Sequence, residues 1–318
     1  MQLIIGSVNI KPMGQYPVVA IGNFDGLHLG HRAILANAVC RARAHDGRAI
    51  VLTFEPHPAQ LLSPDRKLRL LYPFQSKIRL LESTGVDVTD VADFTHAFAQ
   101  LPPREFAQIF LHDKMGAREV LIGGDFKFGK DRAGTVADLM QLGKEYGFNV
   151  HVQAPVVVEQ MIVSSSKIRE LIGEGNVGLA AKMLGRDYAV EGRVVHGDNM
   201  GKALGYPTAN LRLPNELIPK EGIYAVRVSI LRVEGVIACD GIVYIGTKPT
   251  FTPRREAQIE VHLFDHTEDL YGRRLIVTFI AWVRGDEKFS DAAALARQIR
   301  EDIKQAKSIL KAAKPISL

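Results

Sequence analysis

The chain has 318 residues, 47% hydrophobic and 24% charged, with a formal net charge of +5, enough length for two hydrophobic cores. No lysine/arginine run marks a nucleic-acid stripe, and no apolar stretch nears the roughly 18 residues of a bilayer span. Two distant cysteines, Cys40 and Cys239, fall at expected core positions; they point to a reducing compartment and exclude a cysteine-built zinc site.

In chain order, Leu3–Val8 is a short opening strand, and the β-branched run Val18–Ile21 is a buried one. Gly22-Asn23-Phe24-Asp25-Gly26-Leu27-His28-Leu29-Gly30-His31 follows at once. The spacing of Ile34, Leu35, Ala38, Val39 and Ala42 then predicts a helix entered near His28. Ala49–Phe54 is a second buried strand, stopped by Pro56 and Pro58, and residues 59–73 read as a polar excursion, a candidate flap. A helix over Ser76–Thr84, a strand over Val86–Val91 and a helix from Pro102–Pro103 to Lys114 come next. The strand Glu119–Gly123, a loop, a helix over Thr135–Tyr146 and the strand Asn149–Gln153 complete the alternation. Such alternation predicts a doubly wound parallel α/β sheet.

Ser164, Ser165 and Ser166 cap a further helix whose apolar stripe is Ile168, Leu171 and Ile172, and Val177–Leu184 forms a connector. Past Arg186 the texture changes to strand-like runs: Tyr188–Val195, Gly222–Leu231, Val236–Ile245, Gln258–Phe264 and Leu275–Trp282. No helix interrupts them, which predicts a small antiparallel β-barrel. A helix over Asp291–Lys311 closes the chain. The division falls near residue 186, giving domains 1–186 and 187–318.

His28 and His31 stand three apart on the first helical turn, so both imidazoles project from one face. Gly30 between them has no side chain to obstruct a phosphate chain, and a helix N-terminus favours anions. Asn23 in the same turn is a candidate nucleotide contact. Two imidazole donors at such a place suit an ATP α-phosphoryl group as charge builds on its oxygens. Arg169, one turn beyond Ser165 and Ser166, suits the β/γ-phosphates bidentately. Asp125, Phe126 and Phe128 follow a buried strand; by themselves the two rings read either as core or as a face for a flat ligand whose edge Asp125 meets.

In the second half, Gly197 and Gly201 belong to a glycine-rich stretch that brings backbone N–H groups to phosphates. Tyr206-Pro207-Thr208-Ala209-Asn210 follows. Along Ile259-Glu260-Val261-His262-Leu263, alternation sets the aliphatic side chains on one face and Glu260 and His262 on the other. His57 and His262 have no assigned role.

The H-x-G-H of His28–His31 resembles the signature of nucleotidylyltransferases. With Gly-Asn-Phe-Asp-Gly ahead of it, the stretch is similar to that of the bacterial bifunctional riboflavin kinase/FAD synthetase family. The segment Ser164–Arg169 resembles that family's serine-rich helix start, although Met161-Ile162-Val163 stands where the family often has an arginine or lysine. Leu204-Gly205-Tyr206-Pro207-Thr208-Ala209-Asn210 resembles the riboflavin kinase hallmark, with tyrosine where phenylalanine is commoner. Gly246–Phe251 resembles the next turn of that family.

The resemblance implies riboflavin phosphorylation to FMN in the barrel, and FMN adenylylation to FAD with pyrophosphate release in the α/β domain. It implies a flavin beside Asp125, Phe126 and Phe128, Thr208 on Mg2+ that accompanies ATP, and Asn210 on metal-bound water or a phosphate oxygen. It also implies that Glu260 takes the proton of the ribityl hydroxyl. The FMN phosphate carries about −1.5 to −2 charge near pH 7 and needs no base. The expected location is cytoplasmic, since no basic n-region or cleavage site opens the chain. The expected partners are riboflavin, FMN, ATP, FAD and pyrophosphate, with no nucleic acid or membrane and at most weak self-association. Two rivals stay open: a nucleotidylyltransferase with another acceptor, and a flavin-sensing regulator with dead sites. The regulator predicts eroded polar residues, yet His28, His31, Arg169, Thr208, Asn210 and Glu260 all stand.

Overall fold

In the first part of the chain, side chains alternate between two apolar faces of one sheet. Val18, Ala20, Ala49 and Val51 pack on one side with Leu35, Ala38 and Ala42. Val19, Ile21, Ile50 and Leu52 pack on the other with Phe106, Phe110 and Leu139. Burial on both faces is why these strands read as unbroken hydrophobic runs. The computed structural model describes residues 1–6, 14–66, 68–197, 201, 205–214, 217–247 and 257–314.

The sheet strands are β1 (Gln2–Ile5), β2 (Pro17–Ile21), β3 (Arg48–Glu55), β4 (Val88–Asp93), β5 (Glu119–Gly123) and β6 (Asn149–Gln153). Their spatial order is β1-β4-β3-β2-β5-β6, and every neighbouring pair is parallel. The helices of this part are α1 (Leu29–Ala44), α2 (Pro58–Leu62), α3 (Phe74–Glu82), α4 (His96–Ala99), α5 (Pro103–Phe106) and α6 (Val136–Tyr146). Chain order runs outward from β2 through β3 to β4, then returns to β5 on the other side. The switch point therefore lies between β2 and β5, where ligands bind in such sheets.

After residue 153 come a small hairpin, β7 (Val157–Val158) with β8 (Met161–Ile162), then helices α7 (Ser165–Gly173) and α8 (Val177–Leu184). Six strands then close an antiparallel barrel: β9 (Tyr188–Val195), β10 (Ala209–Arg212), β11 (Gly222–Arg232), β12 (Gly235–Thr247), β13 (Ala257–Leu263) and β14 (Arg274–Arg284), in the order β10-β13-β12-β11-β14-β9. The final helix is α9 (Ala292–Ala312). It lays Ala306 and Leu310 on Ile223, Ala225 and Ile242. Asp302, 2% exposed, also ties it to β14 by accepting from Arg284 Nε and Nη2, each at 2.8 Å.

The structure corrects several local expectations. The excursion after Pro58 opens with helix α2 and a 3-10 turn at Pro64–Arg66, because proline in a first helical turn lacks only an N–H that has no intrahelical partner. The helix after Pro103 widens into a π-helical stretch over Ala107–Lys114. Cys40 is exposed and Cys239 only partly buried, so neither is a core residue. Strand β10 has no counterpart in the sequence reading: it has only four residues and directly follows Pro207-Thr208, so its alternation is too short to stand out.

The chain divides into two compact units, residues 1–69 with 74–164, and residues 70–73 with 165–318. Helices α7 and α8, read from sequence with the first domain, thus group with the barrel. So do residues 70–73, where Tyr72 packs 5.6 Å from the Tyr188 ring and beneath the Arg186 guanidinium.

Candidate active sites

The turn after β2 and the entry to α1 build the first site. His28 is the N-cap of α1, and its Nδ1 accepts the backbone N–H of His31 at 3.3 Å. An accepting Nδ1 leaves the proton of a neutral imidazole on Nε2. The two rings stack at 3.6 Å with 17° between their planes, and His28 is only 6% exposed. Phe24 meets His31 edge-on at 5.3 Å. Phe24 and Leu27 hold positive φ, a conformation costing about 1–3 kcal/mol each, and both side chains are buried, which fixes it.

Gly30 has a more local reason than access for phosphate. A Cβ there would lie 3.2 Å from the His28 ring, so the missing side chain is what seats that imidazole. Asn23 is tied to β3 through its carbonyl, which accepts the Thr53 hydroxyl at 3.3 Å.

Two further residues at this sheet edge are not among the contacts predicted from sequence. Asp25 is buried. Lys77 of α3 is buried as well, donating to the Phe54 carbonyl at 3.2 Å and standing 3.7 Å from Glu55 Oε2. Burial pulls its pKa down, while the charges of Glu55 and Asp25 work in the opposite direction. Sequence shows only a lysine on a helix; that it points inward is a packing result.

On the other side of the switch point, Asp125 is exposed in the turn after β5. Phe126 is half-buried and stacked at 5.6 Å on Phe128. Phe128 is a core residue, its ring 5.7 Å from Phe106 and tight over Gly134. The two phenylalanines are therefore unequal: one presents a face, and the other supports it. His57 caps α2 by accepting the Ala59 N–H at 3.1 Å. Ser165 and Ser166 form the first turn of α7, with Arg169 one turn on and half-buried, while Ile168, Leu171 and Ile172 are its buried stripe.

The second site lies at one end of β10 and β13. Asn210 pairs with Glu260 across these strands. The Thr208 hydroxyl donates to Glu260 Oε2 at 3.2 Å, and the Gln258 amide donates to Oε1. Ile259, Val261 and Leu263 are buried, while Glu260 and His262 look to the other face, as alternation requires. Both glycines of the loop close on this cluster. A Cβ at Gly197 would collide with the Asn210 amide, and one at Gly201 would lie 3.1 Å from the Thr208 hydroxyl. The Tyr206 N–H donates to the Gly201 carbonyl at 2.8 Å. Positions 198–200, 202–204 and Lys248–Phe251 of the glycine-rich stretch and the following turn lie outside the described residues. Gln258 was invisible to sequence because a strand glutamine has no motif; only its register beside Glu260 reveals it.

The FAD synthetase family model matches residues 11–167, and the riboflavin kinase family model matches residues 184–310. The chain is 35% identical over 316 residues to the bifunctional riboflavin kinase/FMN adenylyltransferase of Escherichia coli (strain K12), covering 99% of this chain and 100% of that one. It is 36% identical over 310 residues to the protein of that name from Pseudomonas fluorescens, covering 97% and 98%. The chain belongs to this bifunctional family. An FMN adenylyltransferase region is followed by a riboflavin kinase region, the order in which the two family models match, and both activities use ATP. A solved structure from Streptococcus pneumoniae, described as a macrolide-efflux protein, superposes with a TM-score of 0.88 at 31% identity, covering 96% of this chain and 99% of that one. Among the described residues, no helix is long and apolar enough to cross a membrane.

Within the region that the riboflavin kinase model matches, Thr208, Asn210, Glu260, Gly197 and Gly201 are brought together. Within the adenylyltransferase region, His28, His31 and Asn23 share one turn, and Asp125 and Phe126 belong to the loop across the switch point.

Proposed function

We propose that Glu260 is the general base of the kinase region. The ribityl 5′-hydroxyl of riboflavin attacks the γ-phosphorus of ATP, its proton passes to the Glu260 carboxylate, and the β–γ bridging P–O bond breaks to release ADP. The observation that carries this reading is the 3.2 Å contact of Glu260 with the Thr208 hydroxyl beside Asn210 and the two loop glycines. The Thr208 hydroxyl, the Asn210 amide oxygen and Glu260 are hard oxygen donors. Among the described residues, no group of three or more His, Cys, Asp or Glu is placed to hold a metal. That sparse set fits Mg2+, which prefers one or two protein oxygens together with substrate phosphates. When bound with ATP, the ion neutralises charge on the phosphoryl oxygens. Thr208 is the proposed protein ligand.

In the adenylyltransferase region, an FMN phosphate oxygen attacks the α-phosphorus of ATP, the α–β bridging bond breaks, and pyrophosphate leaves. No proton has to be removed, so the residues serve only to align and stabilise charge. His28 and His31 are the proposed donors to the α-phosphoryl oxygens, and Asn23 a nucleotide contact. Phe126, backed by Phe128, presents a face to the isoalloxazine, with Asp125 at its edge. Ser165, Ser166 and Arg169 are the proposed contacts of the β/γ-phosphates, on the strength of their motif. The proposed division of activities is 1–186 and 187–318, in a cytoplasmic enzyme that takes neither nucleic acid nor membrane as partner and self-associates at most weakly.

One preparation of the full chain tests both halves. Glu260→Gln is expected to lose riboflavin phosphorylation by about 10²- to 10⁴-fold, the usual worth of a general base, while converting supplied FMN to FAD normally. The double variant His28→Ala, His31→Ala is expected to show the opposite pattern. Riboflavin phosphorylation within a few-fold of wild type in Glu260→Gln removes Glu260 as the base. A wild-type rate of FAD formation in the double histidine variant moves the adenylyl site elsewhere.

A further inference from the structure

His262 lies two residues past Glu260 on β13, so the two side chains share a face. Its Nδ1 stands 2.9 Å from the Pro207 carbonyl oxygen. A carbonyl only accepts, so Nδ1 carries the proton and donates. The ring is also held edge-on by Tyr206 at 5.7 Å and by Phe264 at 6.0 Å.

The place of this contact gives it a purpose. The β10–β13 ladder begins at Ala209↔Val261 and Asn210↔Glu260. Continuing that register would set Thr208 opposite His262, but strand pairing has already stopped. Pro207 has no N–H with which to extend it. Thr208, which must face Glu260, thus lies one residue beyond the described β10–β13 ladder. The His262 imidazole attaches β13 to the chain with a side chain at Pro207, one residue upstream of Thr208.

We propose that His262 is a positioning residue of the kinase: its Nδ1–H anchors the Pro207 carbonyl and so sets the Thr208 hydroxyl against Glu260. This rests on the reading of Thr208 and Glu260 as the kinase machinery. It assigns His262 no contact with either substrate.

The chemistry provides a sharp test with two polar replacements of similar tolerance. Asparagine places its amide N–H where Nδ1 is, whereas glutamine carries its amide one atom further out, nearer the Nε2 position. In the full-length enzyme we expect His262→Asn to keep kcat for riboflavin phosphorylation within about threefold of wild type. His262→Gln and His262→Leu are expected to lower it at least tenfold, with KM for riboflavin changed less than threefold. FAD formation from supplied FMN and the far-ultraviolet circular dichroism report whether each variant is folded.

Equal loss in the Asn and Gln variants would mean that ring packing on Tyr206 and Phe264 matters, and the anchoring role is wrong. Full activity in His262→Leu overturns the proposal as well. If His262→Leu misfolds, the Asn–Gln difference still decides. Thr208→Val and Glu260→Gln run in parallel separate the two levels: kinase activity surviving in both overturns the underlying reading, whereas its loss there with normal rates in His262→Leu overturns only the anchor.

Discussion

Both sites depend on the absence of a side chain at one position beside a functional group. At Gly30 the neighbour is the His28 ring, 3.2 Å from where a Cβ would sit. Gly30→Ala should press that imidazole off its stack with His31 and reduce FAD formation about tenfold, leaving FMN formation unchanged. At Gly197 the neighbour is the Asn210 amide, which a Cβ would overlap. Gly197→Ala should therefore do the converse, lowering FMN formation by tenfold or more with normal conversion of supplied FMN to FAD. Steady-state assays of both reactions on each variant check this; an alanine variant in which both activities fall together would point to a folding defect instead. The sequence showed glycines near chemistry, but which atoms needed their space depended on side chains brought from elsewhere in each unit.

Single elements are secured by charged groups placed at their ends. Asp87, at the entrance to β4, accepts from both Arg43 terminal nitrogens at 2.8 Å and from the Ala49 N–H at 2.8 Å. The Arg43 bond is the largest cause holding the Asp87 pKa below its ordinary 3.8. A depressed folded-state value means the contribution is fully present above 3.8 and disappears as pH falls below it, when the carboxylate protonates. Asp87→Asn should accordingly lower stability at neutral pH and flatten the loss of stability on acidification below that value. Urea midpoints across the acid range would show it, and parallel wild-type and variant curves would refute it. The pair is partly exposed, so the neutral-pH difference should be at most about 1 kcal/mol. Asp302 is the contrasting case. It is buried on α9 against Arg284, and Asp302→Ala leaves that guanidinium without its carboxylate. The loss should be about 3 kcal/mol, read from denaturant unfolding followed at Trp282.

At the scale of the whole molecule, the grouping of α7, α8 and residues 70–73 with the barrel changes what an isolated kinase fragment must contain. Val177, Ala180, Ala181, Met183 and Leu184 of α8 are buried, and Gly175 abuts Trp282 and Tyr224 so closely that a Cβ would touch the indole. A fragment of residues 187–318 leaves out α8 and would expose the barrel surface it covers. Residues 165–318 retain it. The longer fragment should unfold at a higher temperature and bind less of a hydrophobic dye than the shorter, and should phosphorylate riboflavin without making FAD. Equal unfolding temperatures would show that α7 and α8 contribute nothing to the barrel's stability.

Much of this protein was determined by local sequence alone. The strand–turn–helix at His28–His31, the alternation that turns Glu260 and His262 to one face, and the change from α/β alternation to an all-strand texture all follow from short-range periodicity and from glycine and proline chemistry. Neighbouring residues dictate those features, so a window of ten residues contains their cause. The partners of Glu260, the seat of His28 beside Gly30, the inward turn of Lys77, the demotion of Phe128 to the core and the existence of β10 were decided only by tertiary structure. Each depends on which distant strand supplies the facing surface, and the desolvation and close packing that enforce it come into being only when the sheet and the barrel have closed.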